Sequence, residues 1–149
     1  MEINISEEEQ RQCFIEQWNN PNVFLVCEVP VFCRSVDLVT YDKRKKILTS
    51  IEFKTKNWKK AIEQVMSTAI SFDYLEICIR KPKTEISQQK IVQCCSDIGI
   101  GLYFFDVETR KFEHRLIPQK VQKIWNVQKK QVIEFVEKGD VYARSHKNA

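Results

Sequence analysis

The sequence predicts an α/β fold, a mixed β-sheet with helices on both faces. Two observations carry the prediction. Three strand-like runs follow one another with short connections, which makes an antiparallel meander. After Lys54 the hydrophobic period changes, and helices alternate with strands, which makes parallel neighbours. The 149 residues fit a single domain spanning 1–149, with a core over about 6–117 and a C-terminal helix over about 118–138. With 43% hydrophobic residues the chain can bury a substantial core, and 3 glycines with 4 prolines exclude a low-complexity chain.

Ser6-Glu-Glu-Glu9 has the spacing of a capping box, so a first helix is expected from Ser6 to about Trp18. Phe14, Ile15 and Trp18 would share its buried face. Asn19-Asn-Pro-Asn22 stops it. Val23–Val31 is apolar apart from Glu28, Arg34–Asp42 is the second strand, the charged turn Asp42–Lys46 follows, and Ile47–Lys54 is the third. Trp58, Ala61, Ile62, Val65, Met66 and Ala69 recur with helical spacing behind Asn57, a good N-cap. Tyr74–Ile79 reads as a strand, Thr84–Cys95 as a helix and Ile98–Phe105 as a strand entered through Gly99 and Gly101. A charged hairpin covers Asp106–Leu116. Pro118 then opens a last helix ending near Lys138, with Gly139 as its stop. The order is α-βββ-α-β-α-β plus a hairpin and a C-terminal helix.

Composition narrows the function classes. No run approaches ~18 apolar residues, so no membrane-spanning helix is expected. The acidic N-terminus lacks an apolar stretch, so no signal peptide is expected either, and the chain reads as cytoplasmic. The six cysteines, at 13, 27, 33, 78, 94 and 95, show no C-x2-C metal spacing and read as reduced thiols, mostly in apolar segments. A net charge of +4 permits a polyanionic partner without requiring one.

The residues that do not fit a sheet core are Asp37, Glu52 and Lys54. Side chains alternate along a strand, so Glu52 and Lys54 share one face, and Ile51 and Phe53 the other. If the second and third strands pair about Lys43–Lys45, Asp37 comes level with Glu52–Lys54. One reading is a structural ion pair of small worth. It leaves the second carboxylate unexplained, because two acids and one lysine leave an excess negative charge that a proton or a divalent cation must compensate. On the residues alone both readings stay open.

Asp37, fourteen residues, then Glu52-Phe-Lys54 resembles the PD-(D/E)xK nuclease superfamily, whose fold is restriction-endonuclease-like. Glu28-Val-Pro30, Val36-Asp-Leu-Val39, Ile51-Glu-Phe-Lys54, and Trp58-Lys-Lys-Ala61 with Gln64 resemble a group of small, uncharacterised bacterial members. The likeness continues through Phe72-Asp-Tyr-Leu75 and Gly99-Ile-Gly-Leu-Tyr103. Val36 stands where the motif has Pro, Val65 where a small Ala follows Gln64, and Thr68 where a Tyr is common. The cysteines do not match members that carry an iron–sulfur cluster.

The resemblance implies a metal-dependent nuclease hydrolysing DNA phosphodiester bonds. Asp37, Glu52 and the backbone carbonyl of Phe53 would hold Mg²⁺, with Mn²⁺ as substitute. Lys54 would orient the attacking water, neutralise developing charge or act as base. Glu28 and Gln64 complete the catalytic candidates. Lys56, Lys59 and Lys60 would grip phosphates; a solvated helix face is the plainer account of them. Trp58 fits a core anchor better than a stacking platform. The lysines of the last helix, Lys120, Lys123, Lys129 and Lys130, leave packing, dimerisation and nucleic-acid contact open. His114 and His146 read as surface residues. No separate recognition domain is visible, so specificity would be low, or directed by DNA structure or by a protein partner, and a homodimer is compatible with duplex cleavage. Two rivals stand beside this reading: a non-catalytic nucleic-acid-binding or protein-interaction module on the same scaffold, and an α/β domain with a structural salt bridge.

Overall fold

A computed structural model describes residues 4–148, with side chains to residue 139. The elements run α1 (Glu7–Gln17), β1 (Val23–Val31), β2 (Arg34–Asp42), β3 (Ile47–Lys54), α2 (Trp58–Ser67), β4 (Tyr74–Arg80), α3 (Glu85–Ile98), β5 (Gly101–Asp106), β6 (Lys111–Leu116) and α4 (Asn126–Asn148). The six strands form one mixed sheet in sequence order, β1-β2-β3-β4-β5-β6. β1–β2, β2–β3 and β5–β6 are antiparallel, and β3–β4 and β4–β5 are parallel. Hairpins make the first kind and helical crossovers the second, as the sequence pattern requires.

The sheet separates two cores. On one face α2, α3 and α4 bury Ala61, Val65, Ile91, Cys95, Val132 and Val136 against Leu48, Ile77, Leu102 and their neighbours. On the other, α1 lays Phe14 across Leu38, Ile51, Phe53 and Phe105. Phe14 meets Phe53, Tyr103 and Phe112 edge-on, with centroids 5.1–5.6 Å apart, a favourable aromatic geometry. The inward face of α1 is more polar than expected. Gln10 is buried beside Cys13 and Phe14, and its amide donates to the carbonyl of Cys78 at 3.1 Å, while Ile15 and Trp18 are only partly covered.

Three expected boundaries move. α3 runs on to Ile98 and is closed by Gly99, whose φ of 77° is the left-handed conformation a glycine takes without strain. The last helix does not open at Pro118. Residues 118–125 run as a strap whose amides bond to the rest of the fold: Gln119 to the Gly99 carbonyl (3.0 Å), Val121 to Asp73 (2.7 Å) and Trp125 to Ile70 (2.8 Å). Tertiary partners satisfy these N–H groups, so a helical turn gains nothing there. Gly139 does not stop α4 either, which continues through it. A β-carbon at 139 would lie 3.1 Å from Val26 Cγ1, so this glycine lets α4 lie close on β1.

Among the described residues no helix is long and apolar enough to cross a membrane. All six cysteines are free thiols.

Candidate functional site

The site grows from a place where two strands part. β2 and β3 pair from Asp42↔Ile47 to Leu38↔Ile51, and there the ladder ends. One step further, the same register sets Asp37 against Glu52. The N–H of Phe53, which a continued ladder would bond to β2 backbone, is taken instead by Asp37 Oδ2 at 2.8 Å. N–H and C=O of one strand residue point to the same edge, so the Phe53 carbonyl is turned toward Asp37 as well.

The parting has a backbone cause. Cys27 and Val29 are two residues apart and should share a face, yet they pack into opposite cores, as do Leu38 and Val36. The reversal falls at Glu28, which stands at a φ of 55°, an uncommon conformation for a non-glycine residue. β1 and β2 stay paired past this point, whereas the β2–β3 pairing stops at Leu38↔Ile51, one step short of the Asp37–Glu52 level.

Glu52 is 4% exposed. It lies on the α2 face of β3, with Leu48 and Ser50, since Ile51 and Phe53 fill the opposite core. Burial pushes its carboxyl up to about 9, and the Asp37 carboxyl, within hydrogen-bonding reach, pushes the same way by holding the proton between them and by repulsion. The Lys54 charge opposes this only weakly. Its Nζ lies 3.7 Å from Glu7 Oε1, and the other Glu7 oxygen accepts from the Thr55 N–H at 3.2 Å. The surplus acid inferred from sequence is thus Glu52, whose charged form burial and Asp37 disfavour.

Glu28 stands next to this pair without joining it. Arg11 Nη1 bonds its Oε1, and Ser35 Oγ donates to its Oε2 at 2.7 Å. The same Arg11 nitrogen reaches the Asp37 carbonyl at 3.3 Å, so the ion pair clamps the end of β2. Both partners hold the Glu28 carboxylate in its charged form. Gln64 is on α2, which packs on β3 and β4. Its Oε1 and the Ser50 Oγ of β3 are buried with no hydrogen-bond partner among the described residues. The layer between β3 and α2 is therefore polar at Ser50, Glu52 and Gln64. Lys56 and Lys59 line a basic cavity beyond Lys54, whereas Lys60 turns to Glu63 at 3.7 Å. Trp58 is partly buried against the core, as an anchor should be.

Sequence reasoning missed Glu7 and Arg11. They lie at i and i+4 with Gln10 and Phe14 at i+3 and i+7, one helical face aimed at the sheet, and that spacing was the available signal. Two other residues gain partners that the sequence left open or did not show. Lys129 bonds the buried Asp73, at 2.8 and 2.9 Å to its two oxygens, and so fastens α4 to the sheet. His114 is exposed, as expected of a surface residue, but it is not unpartnered: its Nε2 is 2.7 Å from the buried Glu76 Oε1 and its ring stacks on Tyr103 at 4.0 Å. The side chain of His146 lies outside the described residues.

The donor set suits a hard divalent cation. The Asp37 and Glu52 carboxylates lie within hydrogen-bonding reach of each other, the Phe53 carbonyl belongs to the strand edge that Asp37 caps, and Mg²⁺ is usually held by one or two carboxylates with waters rather than by a full protein cage. Among the described residues no group of three or more His, Cys, Asp or Glu side chains gathers as a metal cage.

No protein-family model matches the chain. No curated protein matches it. Among solved structures the chain is similar to a protein of unknown function from Silicibacter pomeroyi, at 16% identity and a TM-score of 0.58, over 85% of this chain and 78% of that one. At that identity the likeness is one of fold, a mixed α/β sheet with flanking helices.

Proposed function

We propose that this chain is a metal-dependent nuclease of restriction-endonuclease-like fold, hydrolysing DNA phosphodiester bonds with low, structure-directed or partner-directed specificity. One observation carries the reading: Asp37 and buried Glu52 stand level where the β2–β3 ladder ends, within hydrogen-bonding reach of each other, with a lysine two residues on. A structural acid in a core is normally paired with a cation or left out of it. An acid pair kept at a sheet opening fits a site that trades its proton for a cation.

Asp37, Glu52 and the Phe53 carbonyl would hold Mg²⁺ or Mn²⁺, and Glu52 would release its proton as the ion enters. When bound, the cation supplies electrophilic activation of the phosphate and acidifies water. The chain's own residues do the rest. Asp37, anchored by the Phe53 N–H, and Glu52, held in the β3–α2 layer, fix where the phosphate can sit. Lys54 directs its ammonium at the attacking water or at the charge growing on the phosphate oxygens, with Glu7 limiting its swing. Glu28 and Arg11 keep the end of β2 from closing onto β3. Gln64 offers a buried amide from α2 to the substrate or its water. The attacking water would give up a proton to solvent as its oxygen bonds to phosphorus, the P–O bond to the leaving oxygen would break, and that oxygen would take a proton back from solvent.

The test is cleavage of mixed single-stranded, duplex and branched DNA with Mg²⁺ or Mn²⁺. Activity lost in both Glu52→Gln and Lys54→Ala supports the assignment, and activity surviving in both refutes it. Metal and DNA binding without turnover in the unaltered chain would favour the non-catalytic module instead.

A further inference from the structure

We infer that the cavity between the starts of α2 and α3 is a nucleotide-binding site, separate from the carboxylate pair, that takes phosphates on a cationic rim and the nucleoside on an apolar floor. The cavity holds about 470 Å³, within the ~300–1,000 Å³ typical of small-ligand sites and small for a duplex. Six cationic residues line it: Lys56, Lys59, Arg80, Lys81, Lys83 and Lys90. No carboxylate is among its lining residues. Lys81 is shared with Glu113 at 3.3 Å outside the cavity, and Lys83 has an interaction of its own. The rim gathers six of the chain's 24 Lys and Arg residues with no carboxylate in the lining, and an anion is the ligand that answers it.

The floor points to more than a bare phosphate. Ile79 and Ile91 are 1% and 3% exposed and form the bottom, with Trp58 and Pro82 beside them. Lys59 Nζ sits 5.6 Å from the centroid of the Trp58 ring, so one charge is kept at the wall next to an aromatic surface. Bases stack on such surfaces without regard to sequence. The position is equally apt. The cavity lies beyond the carboxyl ends of the parallel neighbours β3 and β4, the crevice where open α/β sheets bind ligands. First-turn residues of both helices line it, Trp58 and Lys59 of α2 and Ser87 of α3, so both helix N-termini add partial positive charge there.

Two sources share this chemistry: a free nucleoside polyphosphate, and the phosphorylated terminal nucleotide of a strand. The inference does not depend on hydrolysis, so it is tested in EDTA on the full chain carrying Glu52→Gln. Calorimetric titrations use ATP, inorganic phosphate, and a short oligothymidylate with and without a 5′-phosphate. Saturable binding of ATP, or a preference of at least tenfold for the phosphorylated oligonucleotide, is the expected result, and which of the two binds identifies the source. Phosphate alone should bind at least tenfold more weakly than either. Lys59→Glu and Lys90→Glu, both at exposed positions, should each weaken binding at least tenfold, whereas Lys45→Glu in the distant β2–β3 turn should change it less than twofold once folding is verified by circular dichroism. Absence of saturable binding to every probe, or losses as large in Lys45→Glu as in the cavity variants, overturns the site.

Discussion

The two ends of β3 use one device with opposite electrical outcomes. At its start, the Leu48 N–H donates to the buried Asp73 at 2.8 Å, and Lys129 closes the charge at 2.8 Å. At its other end, the Phe53 N–H donates to Asp37 at 2.8 Å, but the next group is Glu52, a second acid. The nearby ammonium of Lys54 reaches across to Glu7. A buried acid with its cation is finished chemistry, and its purpose is to hold α4 in place. A buried acid with another acid is unfinished, because it stays neutral only by keeping a proton that a cation can displace. The difference separates a fastening from a site, although the carboxylates cap the strand backbone in the same way.

The comparison can be broken in several places. The largest effect should be on catalysis: Asp37→Asn, Glu52→Gln or Lys54→Ala should each lower the rate of metal-dependent DNA cleavage at least ~100-fold, while Asp73→Asn should leave a folded enzyme of near-normal rate, as followed by single-turnover assays. The largest effect on stability should come from the closed end. Lys129→Met strands the Asp73 charge in the core and should cost about 3–5 kcal/mol in urea unfolding, and Asp73→Asn in the same chain should recover much of it. Neither change should alter cation affinity.

A pH profile sharpens the contrast. Glu52 has its folded-state value raised, to about 9 from an ordinary 4.5. Below 4.5 the acid is protonated in both folded and unfolded chains and contributes no slope. Between 4.5 and 9 the folded chain keeps a proton that the unfolded chain has released, so metal-free stability should fall as pH rises, by at most ~1.4 kcal/mol per pH unit. Glu52→Gln should remove that slope in denaturation curves collected across the window. The smallest effect belongs to Glu28. Its side chain is 55% exposed, so Glu28→Ala should cost less than ~1 kcal/mol despite the contact with Arg11. A loss of cleavage much greater than tenfold in that variant would move Glu28 from clamp to direct participant.

The strands and the acid pair were legible because they rest on local pattern. Apolar runs set β1 to β3, the charged turn set their register, and that register alone puts Asp37 level with Glu52. What stayed hidden depends on partners distant in the chain. α1 turns Glu7, Gln10 and Arg11 inward, and hydrophobic periodicity cannot see a buried face built from polar residues. Residues 118–125 look fit for a helix, but their amides find carbonyls in Asp73, Gly99 and Ile70. His114 is solvent-facing as read, but its contact with the buried Glu76 depends on how β6 pairs and could not be read. The basic cavity draws its cations from the β3–α2 junction, from the end of β4 with the loop after it, and from the second turn of α3, three segments whose meeting only the parallel crossover fixes.

The most direct test of the account is calorimetric titration of the chain with Mn²⁺ or Mg²⁺ at pH 7, repeated in buffers of different ionisation enthalpy so that protons released can be counted. The account predicts one cation bound with close to one proton released, and loss of both in Glu52→Gln. No saturable binding, or binding with no proton released and undiminished by Glu52→Gln, would contradict it.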